Sequence, residues 1–381
     1  MKKNLIFLLA ALALSGLSAC TSESRDEAGD TPVVSFTAFA DTGTEVVQAN
    51  MRTDAPEPEL ISVSGEFNLE FLQNGRNQVD TASIAYYTWE GQESRVYYKD
   101  LESGEVFTQM DVCGFSTETD FPKSVRSIWG NGDYVVMAYN LFSGAGMPET
   151  RLRVLDRAAG TCRDLLLTEN AGQDQINMLF SGDLLIVYFT DSGSGLPLLR
   201  LVNLAAGSLV TSLNLTDNFV AAALRGEQLL LFGRDQSFET FNTGSLTFGD
   251  MGNTPGFPIL SQGLFRTRFS GDLVLVSYIY QQPSLFFSQP ALYDLTTGSY
   301  AAGGEPFLPL LQARIERETG NRFLFGNFDA DPDSGLILIA YVQGDGSPQG
   351  GVVLTDFEAN PLQIIPLPIV PEQIVLRDII R

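Results

Sequence analysis

Thiols, carboxylates and guanidinium groups carry what chemistry this chain has to offer, because its 381 residues include no histidine. That removes Ser-His-Asp triads, histidine general bases and histidine-ligated zinc or haem together. Three cysteines are present, Cys20, Cys113 and Cys162. In Asp329-Ala330-Asp331-Pro332-Asp333-Ser334-Gly335, the alternate carboxylates of Asp329, Asp331 and Asp333 have the spacing that calcium uses. Against calcium, the glycine comes one place late, and Ile337 and Ala340 stand where a closing carboxylate belongs. A plain turn before the strand at 336–341 is the competing reading, and no catalytic residue or cofactor is assigned. With 46 acidic residues in the chain, carboxylate pairs discriminate nothing. No Gly-x-Ser-x-Gly elbow, Walker loop or dinucleotide fingerprint occurs.

The amino terminus orders its residues as an export signal does: Lys2 and Lys3, an apolar run over 5–14, then Ser15-Gly16-Leu17-Ser18-Ala19-Cys20. The run is too short for a spanning helix. Leu17-Ser18-Ala19-Cys20 resembles the lipobox of bacterial lipoproteins. That resemblance implies cleavage before Cys20, lipid on its thiol and a membrane partner through the acyl chains. Thr21, where an aspartate would imply inner-membrane retention, points by the same family pattern to the outer membrane, facing the periplasm or the surface. Residues 1–19 are then a signal peptide and 20–32 an acidic tether similar to that of surface lipoproteins of Bacteroidota type. Losing Lys2 and Lys3 takes the formal charge from −23 to −25, which repels nucleic acid and anionic headgroups.

Residues 33–381 repeat. A tight turn before an apolar run recurs at Asn131-Gly132-Asp133, Ser181-Gly182-Asp183, Arg225-Gly226-Glu227, Ser270-Gly271-Asp272 and Asp333-Ser334-Gly335. The runs, such as 184–189 and 273–278, are too continuously apolar for strands with one wet face. A second turn recurs as Asp156-Arg157-Ala158-Ala159-Gly160, Asn203-Leu204-Ala205-Ala206-Gly207 and Asp294-Leu295-Thr296-Thr297-Gly298, with variants at 99–104, ending at Gly244, and at 355–360, where Asn360 takes the glycine's place. Four strands per unit predict an all-β fold, a single β-propeller. Six blades run from 81–111 to 336–367. A seventh, closed by 373–380 with the N-terminal strands 33–39, 45–51 and 60–65, would leave no open sheet edge; a six-bladed ring is the alternative. The hairpins resemble those of quinoprotein-like and WD-like propellers, and 329–335 resembles the calcium loops of integrin-type blades. Both resemblances imply fold rather than activity.

The two faces of such a disc are treated differently. Turns between first and second and between third and fourth strands are short; the other connections, at 141–149, 190–196, 281–290 and 343–350, are long and rich in Gly, Ser and Pro. A helix over 309–319, stopped by Gly320, is expected on the long-loop face. Lys123, Arg126, Arg266, Arg268, Arg314, Arg317 and Arg322 fall near the starts of innermost strands or in that helix. Together they would make a positive funnel for a carboxylate or phosphate, unless neighbouring acids neutralise them. Phe142, Tyr280, Phe286 and Phe287 on the same loops would line a pocket or anchor a partner. Cys113 lies nine residues past its hairpin glycine and Cys162 two past its own, which places them toward opposite faces of neighbouring blades. An oxidising compartment favours a disulfide, so pairing stays open.

The expected function is non-enzymatic binding: an interaction scaffold for an envelope protein, or capture of a small anionic ligand, as in similar surface propeller lipoproteins that take ferric siderophores. A carboxylate- and arginine-based lyase or hydrolase is the alternative from another class.

Overall fold

A computed structural model describes residues 31–68, 76–79, 82–90, 93–117, 122–142, 148–258, 268–281, 283–303, 306–347 and 349–380. The signal sequence, Cys20 and most of the expected tether lie outside the described residues, as does Arg266.

Apolar alternation builds the architecture. In the strand Tyr134–Leu141, Val135, Met137 and Tyr139 pack to one side with Val125 and Tyr98, while Val136 and Ala138 pack to the other with Leu185 and Val187. In Leu184–Asp191, Leu185, Val187 and Phe189 likewise face one neighbour, and Ile186 and Tyr188 the next. Successive side chains of a strand alternate sides, so a strand apolar at every position must sit in a sheet covered on both faces.

Seven antiparallel four-stranded sheets result among the described residues. In chain order, β1 (Val33–Asp41), β2 (Val46–Arg52) and β3 (Glu59–Ser62) precede a one-turn helix, α1 (Val63–Phe67). Blade 2 starts with an inner strand, β4 (Arg76–Val79), ahead of the 81 expected, and ends with β7 (Val106–Met110). Blades 3, 4 and 5 have inner strands β8 (Lys123–Gly130), β12 (Gly172–Ser181) and β16 (Phe219–Arg225). Blade 6 begins with β20 (Phe269–Ser270), blade 7 with β24 (Phe323–Asp331), and the helix α2 (Phe307–Thr319) lies between them in sequence. The last strand, β28 (Gln373–Ile380), pairs with β1 from Val33↔Ile380 to Phe39↔Gln373 and forms blade 1 with the three N-terminal strands. Seven apolar clusters fill the wedges between successive blades, including blade 7 against blade 1 and blade 1 against blade 2.

Four expectations are corrected. The third N-terminal strand stops at Ser62, because the Ser62 hydroxyl accepts the N–H of Gly65 at 3.0 Å and caps α1. In the hairpin turns, the left-handed residue is the fourth after the leading Asp or Asn: Gly104, Gly160, Gly207 and Gly298, but Leu246 (φ 59°) rather than Gly244. In the shorter blade 7 turn, Ala359 (φ 62°) takes that place rather than Asn360. Finally, α2 begins at Phe307, two residues ahead of the 309 expected, and packs one side into the core. Leu311 and Ile315 are fully buried between blades 6 and 7 with Leu292, Ile337 and Ile339, and Gly320 ends the helix with its N–H on the Glu316 carbonyl at 2.8 Å.

Cys113 and Cys162 are joined, with Cα atoms 6.0 Å apart. The opposite-faces expectation assumed that β7 runs the full height of the disc. It stops at Met110, and the 3₁₀ turn Val112–Gly114 folds into the wedge between blades 2 and 3, burying Val112 and Phe115. Arg153 of blade 3 holds this segment through the carbonyl of Val112 at 3.1 Å.

Candidate functional site

The inner strands surround a central cavity of about 2390 Å³. Five of the seven described inner strands carry one kind of irregularity. Register breaks fall between Val125 and Ser127 in β8, Gln173 and Asn177 in β12, Phe219 and Ala221 in β16, and Phe325 and Phe328 in β24. Along β28 the pairing steps from Asp378 to Leu376 and skips Arg377. A bulge leaves a residue out of the ladder and re-aims its side chain. The residues left out include Arg126, Asn327 and Arg377, and all three line the cavity. Arg377 is a site residue that charge and spacing did not reveal, since only the pairing register sets it apart.

Burial draws the Arg377 guanidinium below its usual pKa, with the charges of Asp100 and Glu102 acting the other way. One of its nitrogens, Nη1, is buried without a hydrogen-bond partner among the described residues. Deeper in the wall, Asp329 accepts Arg268 Nη2 at 2.8 Å and the N–H of Leu376 at 2.8 Å, tying blades 6, 7 and 1. Arg268 stands three residues before the Gly271-Asp272 turn, so it belongs near the short-turn end of the channel and not at the loop-face mouth.

In 329–335, the expected calcium candidate, two of the three carboxylates are engaged within the fold. Asp329 is 2 % exposed and spent on Arg268 and Leu376, while Asp331 accepts the N–H of Ser334 at 3.0 Å and closes the turn. Among the described residues no group of three His, Cys, Asp or Glu side chains is arranged to hold a metal.

Of the other expected site residues, Arg126 and Arg322 line the cavity, and Arg322 is 58 % exposed beside Glu316 at 4.0 Å. Lys123 instead reaches the carbonyl of Phe115 at 2.5 Å and lies over its ring. Arg314 binds the blade 7 turn through the Glu358 carbonyl at 2.8 Å and Asn360 Oδ1 at 2.6 Å, and Arg317 is exposed on α2. The aromatic set also divides. Tyr280 packs against Phe286, and its hydroxyl donates to Gln289, whereas Phe287 stands 70 % exposed at the cavity with Leu285 at 85 % and Leu324 at 54 %. Phe142 is exposed and outside the cavity lining.

The described part of the wall carries charges of both signs. Among the described lining residues, Arg52, Arg126, Arg268, Arg322 and Arg377 face Glu57, Glu59, Glu102, Asp329, Glu372 and Asp378. The arrangement suits a ligand that carries charges of both signs with apolar groups near the rim.

No family model and no curated protein matches this chain. Solved structures do. A chain of the mitotic checkpoint complex aligns at 15 % identity over 77 % of this chain and 76 % of its own, with a TM-score of 0.42. The computationally designed Ika8 protein aligns at 12 % identity over 87 % and 86 %, with a TM-score of 0.43. A prolyl endopeptidase covers 91 % of this chain with 49 % of its own at 11 % identity and a TM-score of 0.45. At these levels the likeness concerns fold alone, and the seven closed sheets establish the propeller independently.

Proposed function

We propose that this chain is a lipid-anchored, extracytoplasmic propeller that works by binding, as an interaction scaffold at the cell envelope, with the central cavity and its loop-face rim as the binding site. The observation that carries this reading is the cavity of about 2390 Å³, with its balanced charges and with Leu285, Phe287 and Leu324 exposed along its lining. Apolar side chains exposed beside charged ones are the usual composition of a surface that a partner covers. A polypeptide segment carries both charge signs and apolar groups, whereas a compact anion would use only the arginines. Attachment through Cys20 to the outer membrane completes the proposal, and rests on Leu17-Ser18-Ala19-Cys20.

The test is affinity capture from the native envelope, with mass spectrometry of proteins and small molecules, using the wild-type chain and a Phe287→Glu, Arg322→Glu variant. A partner retained by the first and lost by the second supports the reading. Recovery of one protein set from both, with no small molecule, sinks it. A small anion retained by wild type and released by Arg126→Gln would favour ligand capture instead.

A further inference from the structure

The connections divide the disc cleanly. In blades 3 to 6 the first-to-second and third-to-fourth turns are two to four residues long, such as 182–183 and 204–207. They are stitched together by one recurring bond: Leu204 N–H to the Asp183 carbonyl at 2.8 Å, Thr243 to Glu227 at 3.0 Å and Leu295 to Asp272 at 3.0 Å. Blade 1 has no such first turn, because its first strand is β28 and its second is β1. The same bond is nonetheless present, from Thr53 N–H to the Val34 carbonyl at 2.9 Å. Val33, paired with Ile380, therefore occupies the place of a short turn. The chain enters the propeller on the short-turn face, beside the axis, since its partner β28 is an innermost strand. The long connections, 280–287 and 344–349 among them, lie on the opposite face.

We propose that the anchored propeller turns its short-turn face to the membrane and presents its loop face, with Leu285 and Phe287, away from it. The proposal rests on the reading of Cys20 as the lipid-bearing residue. Residues 21–32 span at most about 40 Å when fully extended. To invert the disc, they would have to cross roughly 20 Å from the axis to the rim and about 20 Å of blade height. An inverted disc thus needs the tether stretched to its limit, which costs the chain its conformational freedom. Leu285 and Phe287 are then exposed to meet a partner approaching from outside, and not to dip into the anchoring bilayer. Turn carboxylates such as Asp133 and Asp183 keep the near face off anionic headgroups without turning it over.

With Cys113 and Cys162 bonded, Cys20 is the free thiol of the chain from residue 20. A maleimide lipid coupled there would anchor the protein to vesicles containing headgroup-quencher lipid. A fluorescent amino acid would replace Ala158 on the short-turn face or Ser192 on the loop face, both exposed. Quenching several-fold stronger at 158 than at 192 supports the orientation; equal quenching, or stronger quenching at 192, overturns it. Whether cells acylate Cys20 is read separately, from the mass of its peptide. An unmodified peptide would remove the lipoprotein reading, while the vesicle result would still decide the geometry.

Discussion

Arg268 Nη2 and Asp329 Oδ2 lie 2.8 Å apart in the channel wall, and the same carboxylate oxygen takes the N–H of Leu376, so one side chain joins three blades. Removing one member of a buried pair leaves the other charge uncompensated, at a cost of about 3–5 kcal/mol. Asp329→Ala should lower the unfolding free energy by about that amount in denaturant titrations. A loss well below 1 kcal/mol would show that the contact contributes nothing to closing the ring.

The Cys113–Cys162 bond spans a sequence separation of 49 and fastens blade 2 to blade 3. Loop-closure entropy for that length corresponds to about 4 kcal/mol. The paired Cys113→Ser, Cys162→Ser variant should therefore unfold at markedly lower denaturant concentration, and reductant should shift the wild-type chain but leave the variant unmoved.

Leu246 holds φ at 59° where four of the other hairpin turns use glycine. Left-handed backbone costs a side-chain-bearing residue about 1–2 kcal/mol, which the added freedom of an unfolded glycine only partly offsets. Leu246→Gly should raise the melting temperature slightly. A lower one would mean that the half-exposed leucine contributes more through packing than its backbone loses through strain.

Acid should unfold the protein through its turns. The N–H of Thr296, and after it the bonds from Thr297, hold the Asp294 carboxyl below the usual range, with desolvation acting the other way. At Asp191, desolvation pushes the carboxyl up, but bonds from Ser194, Thr168 and Asn170 outweigh it and the net direction is down. A carboxyl with a lowered folded pKa stabilises fully above its unfolded value near 4, and that contribution fades as pH falls through the folded value. Stability measured from pH 6 downward should stay level to about pH 5 and then decline. Asp294→Asn, which keeps an acceptor but cannot titrate, should flatten part of that decline.

The bulged arginine gives a test of function separate from stability. Arg377→Gln should weaken retention of the captured partner while leaving the denaturation midpoint close to wild type, because Arg377 Nη1 makes no hydrogen bond among the described residues. Unchanged retention would place binding at the rim alone.

The repeat, the number of blades, the closure by both termini and the contrast between the two faces were all legible in the amino-acid order. Each depends on local rules: apolar alternation, turn residues at fixed offsets and the length of connections. Pairing of Cys113 with Cys162, the burial of Asp329 against Arg268, and the emergence of Arg377 as a cavity residue were not legible. They depend on where a strand stops, as β7 does at Met110, or on one skipped residue in a ladder, as in β28. A difference of one residue in register moves a side chain to the other side of a sheet, and only packing against neighbouring blades settles which register wins. The charge of the cavity followed the same logic. Seven basic residues converge in the sequence pattern, but the fold sends Lys123, Arg314 and Arg268 to partners of their own and seats acids among the rest.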